Sequence, residues 1–314
     1  MSLSNTLLGI ALNSDKTGFL IGSFEVRFYG IIIAFGILVA FCVALWLFNK
    51  ANYKEELAYL ILVIVVPLGI IFARAYYVIF DPDKSNYQSF WDVINIRGGG
   101  IAIYGAVIGG ALGLLIVARI KKCGWFTLAD ICAICLIIAQ SIGRWGNYAN
   151  REAHGIKVAH NMFPFTIPYD NLGATGPFLA TFFIESMLNL IGFGVLLFIF
   201  FKNPKIEKSK KNKGFVIALK GRNEYKWGTV TAWYLIWYGI VRMIIEPFRT
   251  DSLLMPWSHS ESMFNRVSFL LSIALIAVGV LVLVAVKKGW ISQENQSCLR
   301  TNPTVTKKPK STTT

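Results

Sequence analysis

The 314-residue chain is 55 % hydrophobic and 15 % charged, with 23 Phe and 9 Trp, a balance that excludes both a disordered chain and an ordinary water-soluble domain. Its net charge of +14 could point to nucleic acid, but most of the excess sits in residues 202–226 and in the C-terminal tail, both beside apolar runs. There it reads as a topology signal that also meets anionic lipid headgroups, and no nucleic-acid partner is expected.

A helix needs roughly 20 apolar residues to cross the hydrocarbon core, and the expected spans, in chain order, are about 30–48, 58–80, 100–120, 128–143, 178–201, 229–248 and 267–287. The residues ahead of the first span lack a basic n-region and break at Asn13 and Asp15, so no cleaved signal peptide is expected and span one serves as the signal anchor. Span one opens on VRFYG (26–30), with Arg27 and Tyr29, which alone reads as an interfacial anchor. Span two carries Arg74. Span three has Tyr104 and the glycines Gly105, Gly109 and Gly113 at four-residue spacing, which permits close helix packing. A P-loop is excluded there because no Gly-Lys-Ser/Thr follows. Span four holds Cys132 and Cys135 without a second Cys pair or nearby His, so a metal site is rejected in favour of packing. Span five begins with Glu185 and Asn189 one turn apart, and each needs a partner inside the protein. After span seven the tail, 292–314, is polar and Thr-rich, and is expected to be disordered and cytoplasmic. Of the five cysteines most lie in or beside spans, and no disulfide is expected.

Basic residues set the orientation. The segment before span one and loops 2–3, 4–5 and 6–7 hold nine Lys/Arg, against twenty in loops 1–2, 3–4, 5–6 and the C-terminal segment when Arg119 and Lys287 at the span ends are counted with them. The expected fold is therefore an all-α integral membrane protein, a seven-transmembrane-helix bundle with the N-terminus outside and the C-terminus cytoplasmic. Residues 1–291 form the polytopic domain, with the basic loop 202–226 on the cytoplasmic side.

An ionisable group at the bilayer centre costs about 2.5–3.5 kcal/mol on insertion scales, so such groups mark functional sites. In span six, Tyr238, Arg242, Glu246 and Arg249 follow at i, i+4, i+8 and i+11, one polar stripe on an apolar helix. An Arg242–Glu246 pair could be a self-neutralising staple, and Arg249 with Asp251 could be interfacial anchors. After span four, Arg144, Asn147 and Arg151 share a face if the helix continues, with Gly143 and Gly146 leaving room for a ligand. Glu152 and His154 fall on neighbouring faces or in the loop. Two guanidiniums on separate helices suit a planar or tetrahedral anion such as a phosphodiester. No HExxH, GxSxG or His/Asp pair supports a metalloprotease or serine hydrolase.

The stretch GRWGNYANREAHG (143–155) resembles the Gly-Arg-x-Gly-Asn-aromatic-x-Asn-x-Glu-x-x-Gly signature of the prolipoprotein diacylglyceryl transferases, through Gly143, Arg144, Gly146, Asn147, Tyr148, Asn150, Glu152 and Gly155. VRFYG, FARAYYVIF (72–80), GGGIAIYGAVIGG (98–110), ESMLN (185–189) and YGIVRMIIEPFRTD (238–251) are similar to further segments of that family. One departure is Tyr104-Gly105-Ala106, where many members carry His-Gly-Gly.

The resemblance implies transfer of the diacylglyceryl group of phosphatidylglycerol to the lipobox cysteine thiol of preprolipoprotein signal peptides, with a thioether formed and glycerol phosphate released. It implies a multi-pass enzyme of the bacterial cytoplasmic membrane, its site toward the outer face, using phosphatidylglycerol as co-substrate and no metal or other cofactor. The expected catalytic residues are Arg144, Arg242, Glu246, Tyr104 and Tyr29. Phosphatidylglycerol is expected at Arg144, Asn147, Asn150, Glu152, Gly155, Tyr238 and Arg249. The rival readings are an organic-anion transporter or channel, a structural scaffold, and an intramembrane protease; the last lacks a Ser/His or paired-Asp set.

Overall fold

The computed structural model describes residues 10–12, 17–21, 24–81, 83, 87–96, 99–171, 174–202, 226–250, 266–291 and 298. Asp251, His259, nearly all of the loop 202–226 and the tail 292–314 apart from Cys298 lie outside the described residues. The described chain is mostly helical, and six helices are long and apolar enough to cross a membrane. These are α1 (Phe28–Lys50), the continuous run Glu56–Phe80, α5 (Ile103–Lys121), α6 (Trp125–Ala149), α7 (Thr181–Phe201) and α9 (Val267–Lys287). The run Glu56–Phe80 consists of α2 (Glu56–Leu60), a π-helical turn Ile61–Val65 and α3 (Val66–Phe80). With the family assignment below, these helices mark a multi-pass membrane protein.

Two expectations about the boundaries change. The fourth helix starts at Trp125 and ends at Ala149, longer than the apolar run 128–143, because its polar end is held by other helices rather than by lipid. Residues 178–179 belong to strand β5 and α7 begins at Thr181. The expected sixth span is α8 (Thr229–Ile245), 17 residues long, continued by a 3-10 turn Glu246–Phe248 at Pro247, a residue without an N–H to donate.

The fold is also not purely helical. Strands β1 (Ile10–Leu12), β2 (Gly18–Ile21) and β3 (Phe24–Arg27) form an antiparallel sheet, and β4 (Thr166–Asn171) pairs with β5 (Ala174–Leu179). These strands are short and flank helices, so the hydropathy reading passes over them. β3 runs straight into α1, and Phe28 N–H donates to the Thr17 carbonyl at 3.0 Å. That contact fixes the start of α1 beside Tyr29.

The chain divides into two units. The second runs from Leu45 through Trp125 and includes Cys298. In it Gly109 and Gly113 lie where a Cβ would meet the Leu68 carbonyl oxygen at 2.5 Å and Val65 Cα at 3.0 Å, so the glycine spacing does bring α5 against the preceding helix. Arg74 finds its partners in backbone carbonyls. It donates to those of Asp92 and Val93 at 2.7 Å, Gly99 at 3.0 Å and Gly100 at 2.9 Å, and thereby ties the connection containing α4 (Phe90–Ile94) to α3. Outside the helices, Tyr87 donates to Asp81 at 2.5 Å and this bond pushes the phenol up to about 12. Cys123 and Cys298 are disulfide-bonded with Cα atoms 5.8 Å apart, contrary to expectation; 175 residues separate them, and no sequence spacing announces such a pair. Cys42, Cys132 and Cys135 are free thiols.

The first unit holds the strands, α1 as far as Ala44, and Phe126 onward through α9. Its fully buried apolar residues include Leu128, Ile131, Ile134 and Ile137 on α6, Leu196 on α7, and Val230 and Ala232 on α8. Asp130, buried on α6, caps α8: it accepts from the N–H groups of Gly228 (2.9 Å) and Thr231 (2.8 Å) and from the Thr231 hydroxyl (2.6 Å). Those first-turn donors have no intrahelical acceptor, and a carboxylate suits the positive end of the helix dipole. Gly239 and Gly279 let α8 and α9 approach, a Cβ on either lying 2.7 Å from an isoleucine of the other helix.

Candidate functional site

Within the first unit four charged side chains from three helices form a chain. Arg144 Nη2 on α6 is ion-paired with Glu185 Oε1 on α7. The other oxygen of Glu185 lies 3.5 Å from Arg242 Nη1 on α8, and Arg242 Nη2 donates to Glu246 Oε2 at 2.9 Å. Glu185 is 2 % exposed and Glu246 0 %. Buried carboxylates of this kind persist only when paired, and the alternation Arg, Glu, Arg, Glu makes the set neutral. Arg144 is the open end, with its side chain 19 % exposed. It gives one guanidinium nitrogen to Glu185, and the rest of its donor fork has no protein partner among the described residues.

The sequence marks Glu185 as a carboxylate in need of a partner, yet the expected site does not include it. The structure makes it the bridge between both arginines. The signal for it, a glutamate one turn into an apolar span, was present; which arginines it would meet was not.

The signature stretch bends around this cluster. α6 ends at Ala149, and Arg151 and Ala153 take φ values of +55° and +54°, a left-handed backbone that non-glycine residues adopt at a cost. Arg151 is therefore not on a helical face with Arg144 and Asn147, which corrects the expectation. The Glu152 N–H donates to the Asn147 carbonyl at 3.0 Å, and Asn150 Nδ2 donates to Glu152 Oε1 at 3.3 Å. His154 lies in the loop. The strained turn is anchored where Thr181 Oγ1, at the start of α7, donates to the Ala153 carbonyl at 2.6 Å.

Gly155 joins this loop to the end of α8. Its N–H donates to the Leu179 carbonyl at 2.8 Å, and it forms a β-bridge with Arg249. A Cβ here would lie 2.8 Å from Thr181 Cγ2 and 3.0 Å from the Phe248 carbonyl oxygen, so only glycine fits. Arg249 thus sits beside the signature loop, while Arg266 Nη1 donates to the carbonyls of Glu246 (2.5 Å) and Arg249 (3.4 Å). Arg266 holds the end of α8 and was not among the expected residues. Tyr238 stacks on Tyr234 with centroids 6.0 Å apart. Tyr29 lies against Gly146, whose added Cβ would meet the ring at 2.7 Å. Tyr104 belongs to the second unit and packs on Tyr76 at 6.0 Å.

The structure thus brings together Arg144, Arg242 and Glu246 around Glu185, and places Asn147 near the end of α6, Asn150, Glu152 and Gly155 on the loop that follows, and Arg249 in a bridge to Gly155. What such a site offers is guanidinium donors for an anion, held by buried carboxylates.

A family model described as prolipoprotein diacylglyceryl transferase matches residues 16–285. The phosphatidylglycerol–prolipoprotein diacylglyceryl transferase of Listeria monocytogenes serotype 4b is 37 % identical over 277 residues, covering 86 % of this chain and 89 % of that protein. The enzyme numbered 1 of that name in Clostridium perfringens is 38 % identical, covering 88 % and 96 %. That of Finegoldia magna is 33 % identical, covering 90 % and 100 %. With the signature at 143–155 supplying Arg144 to a buried arginine–glutamate chain, and the match extending over most of the length, the chain belongs to the prolipoprotein diacylglyceryl transferase family.

Proposed function

We propose that this chain transfers the diacylglyceryl group of phosphatidylglycerol to the cysteine thiol of a preprolipoprotein lipobox. The thiolate sulfur attacks the glyceryl carbon that carries the phosphate, a C–S bond forms, and the C–O bond breaks with its electron pair leaving on glycerol phosphate. The observation that carries the reading is the Arg144–Glu185–Arg242–Glu246 chain. Glu185 and Glu246 fix Arg242, and Arg144 presents a half-committed guanidinium to a phosphodiester. Charge grows on the leaving phosphate in the transition state, where preorganised donors in a water-poor site act most strongly.

In this reading Arg144 with Asn147 binds the phosphate or headgroup and Arg242 faces the same charge. Glu246 orients Arg242, Glu152 orders the loop after α6, and Tyr29 hydrogen-bonds the headgroup or assists proton transfer from the thiol. Asn150, Gly155, Tyr238 and Arg249 complete the lipid site. α8 with its 3-10 turn makes a seventh crossing, so the termini lie on opposite sides, the N-terminus outside and the C-terminus cytoplasmic by the distribution of basic residues. The protein resides in the bacterial cell membrane with its site toward the outer face. The displacement needs neither metal nor cofactor.

The test is mass spectrometry of a lipobox peptide incubated with purified protein and phosphatidylglycerol. A diacylglyceryl mass gain is expected, absent with a Cys→Ser peptide, absent with Arg144→Ala protein, and undiminished by EDTA. No gain from the wild-type protein would overturn the proposal.

A further inference from the structure

Among the described residues of the first unit, Asn189 is the buried side chain with both of its polar atoms unpartnered. Asn189 lies on α7 one turn past Glu185, on the same buried stripe as Ser186 and Gly192. It is 0 % exposed, and neither Nδ2 nor Oδ1 has a hydrogen-bond partner within the protein. Polar groups on α6, α7 and α8 mostly pair with one another, although Gln140 Oε1 also lacks a partner. Ser141 Oγ donates to the Ser186 carbonyl at 2.8 Å, and Trp145 Nε1 donates to Ser186 Oγ at 3.2 Å. Trp237 Nε1 donates to the Leu188 carbonyl at 3.2 Å, and Gln140 Nε2 to the Tyr234 hydroxyl at 3.0 Å. A buried carboxamide left unpaired is costly, and an apolar residue of similar size would avoid that cost.

We propose that Asn189 binds an acyl-ester carbonyl of the glycerolipid whose phosphate is held at Arg144. The inference rests on the reading of Arg144 as the phosphate site. Four residues of α-helix displace Asn189 from Glu185 by roughly 6 Å along the axis, toward the membrane interior in the proposed orientation. The ester carbonyls of a glycerophospholipid hang a few bonds below its phosphate, on the same side. An ester carbonyl accepts a hydrogen bond and has none to give, so the carboxamide N–H group is its complement, whereas a carboxylate would repel it. Asn189 is in this role a positioning residue. By fixing the glycerol backbone it sets the glyceryl carbon relative to the phosphate and away from the acyl chains.

The experiment compares diester phosphatidylglycerol with its dialkyl ether analogue, which lacks both carbonyls. With wild-type protein the ether lipid is expected to have an apparent KM higher by roughly five- to tenfold, the range one neutral hydrogen bond supplies, with kcat little changed. Asn189→Leu should raise the KM for the ester lipid by a similar factor and bring the ester-to-ether ratio to about one. Asn189→Ser, which keeps a donor, should retain part of the preference and serves in place of the leucine variant if that fails to fold. Equal KM values for the two lipids with wild-type protein, or an ester preference left undiminished in either variant, would overturn the inference. The rise in Tm that each lipid gives to purified protein carries the same comparison without turnover. Absence of transfer would therefore count against the proposed function, and the subsite would still be decided by binding.

Discussion

Replacing Glu185 by Gln tests the keystone of the site. Its two oxygens serve two guanidiniums, Arg144 in direct contact and Arg242 at 3.5 Å. At that separation, with an effective dielectric near 20, each attraction amounts to roughly 5 kcal/mol before desolvation is charged against it. Measured losses when one partner of a buried pair is removed are about 3–5 kcal/mol, because the remaining charge stays buried and uncompensated. Glu185→Gln leaves Glu246 as the one carboxylate in the chain of four. At roughly 2–4 °C per kcal/mol, the midpoint in thermal unfolding should drop by about 6–20 °C. Phosphatidylglycerol, whose phosphodiester can engage the released guanidiniums, should restore more of that loss than an uncharged diacylglycerol. Transfer should fall as well, since Arg242 is no longer held between two carboxylates. An unchanged midpoint together with unchanged turnover would refute the view that Glu185 organises the arginines.

Four other outcomes are expected. Arg144→Lys should lower kcat/KM in the peptide assay by more than about tenfold, because an ammonium cannot serve Glu185 and a phosphate with one planar fork. Gly155→Ala should cost about 1–3 kcal/mol in unfolding measurements, since its methyl would meet Thr181, Leu179 and the Phe248 carbonyl together. Gly146→Ala presses only on the Tyr29 ring, which is partly exposed and can yield; activity should fall while the midpoint in a thermal melt stays near wild type. Arg74→Lys should make the connection between Phe80 and Ile103 more sensitive to limited proteolysis, because one ammonium cannot replace four carbonyl contacts spread over Asp92 to Gly100.

Much of the architecture is legible in the chain because lipid enforces it. Apolar runs long enough to cross, interrupted by charge, mark the helices to within a few residues; α9 was anticipated at 267–287 and is found there. The signature 143–155 and the i, i+4 pair Arg242–Glu246 are local patterns, so the sequence displays them directly, and the pair is made as its spacing suggests. What spacing along one helix cannot state is which other helix a charge faces. Glu185 could have met any arginine; only the packing of α6, α7 and α8 gives it two. The same holds for Asp130 capping α8 from α6, and for the disulfide between Cys123 and Cys298, whose partners lie far apart in the chain. The left-handed turn at Arg151 and Ala153 is a further case, since neither residue type signals it. Hydropathy and local spacing record how each segment meets lipid and its own next turn, whereas long-range pairing depends on where packed helices bring side chains, and that information exists only once the chain has folded.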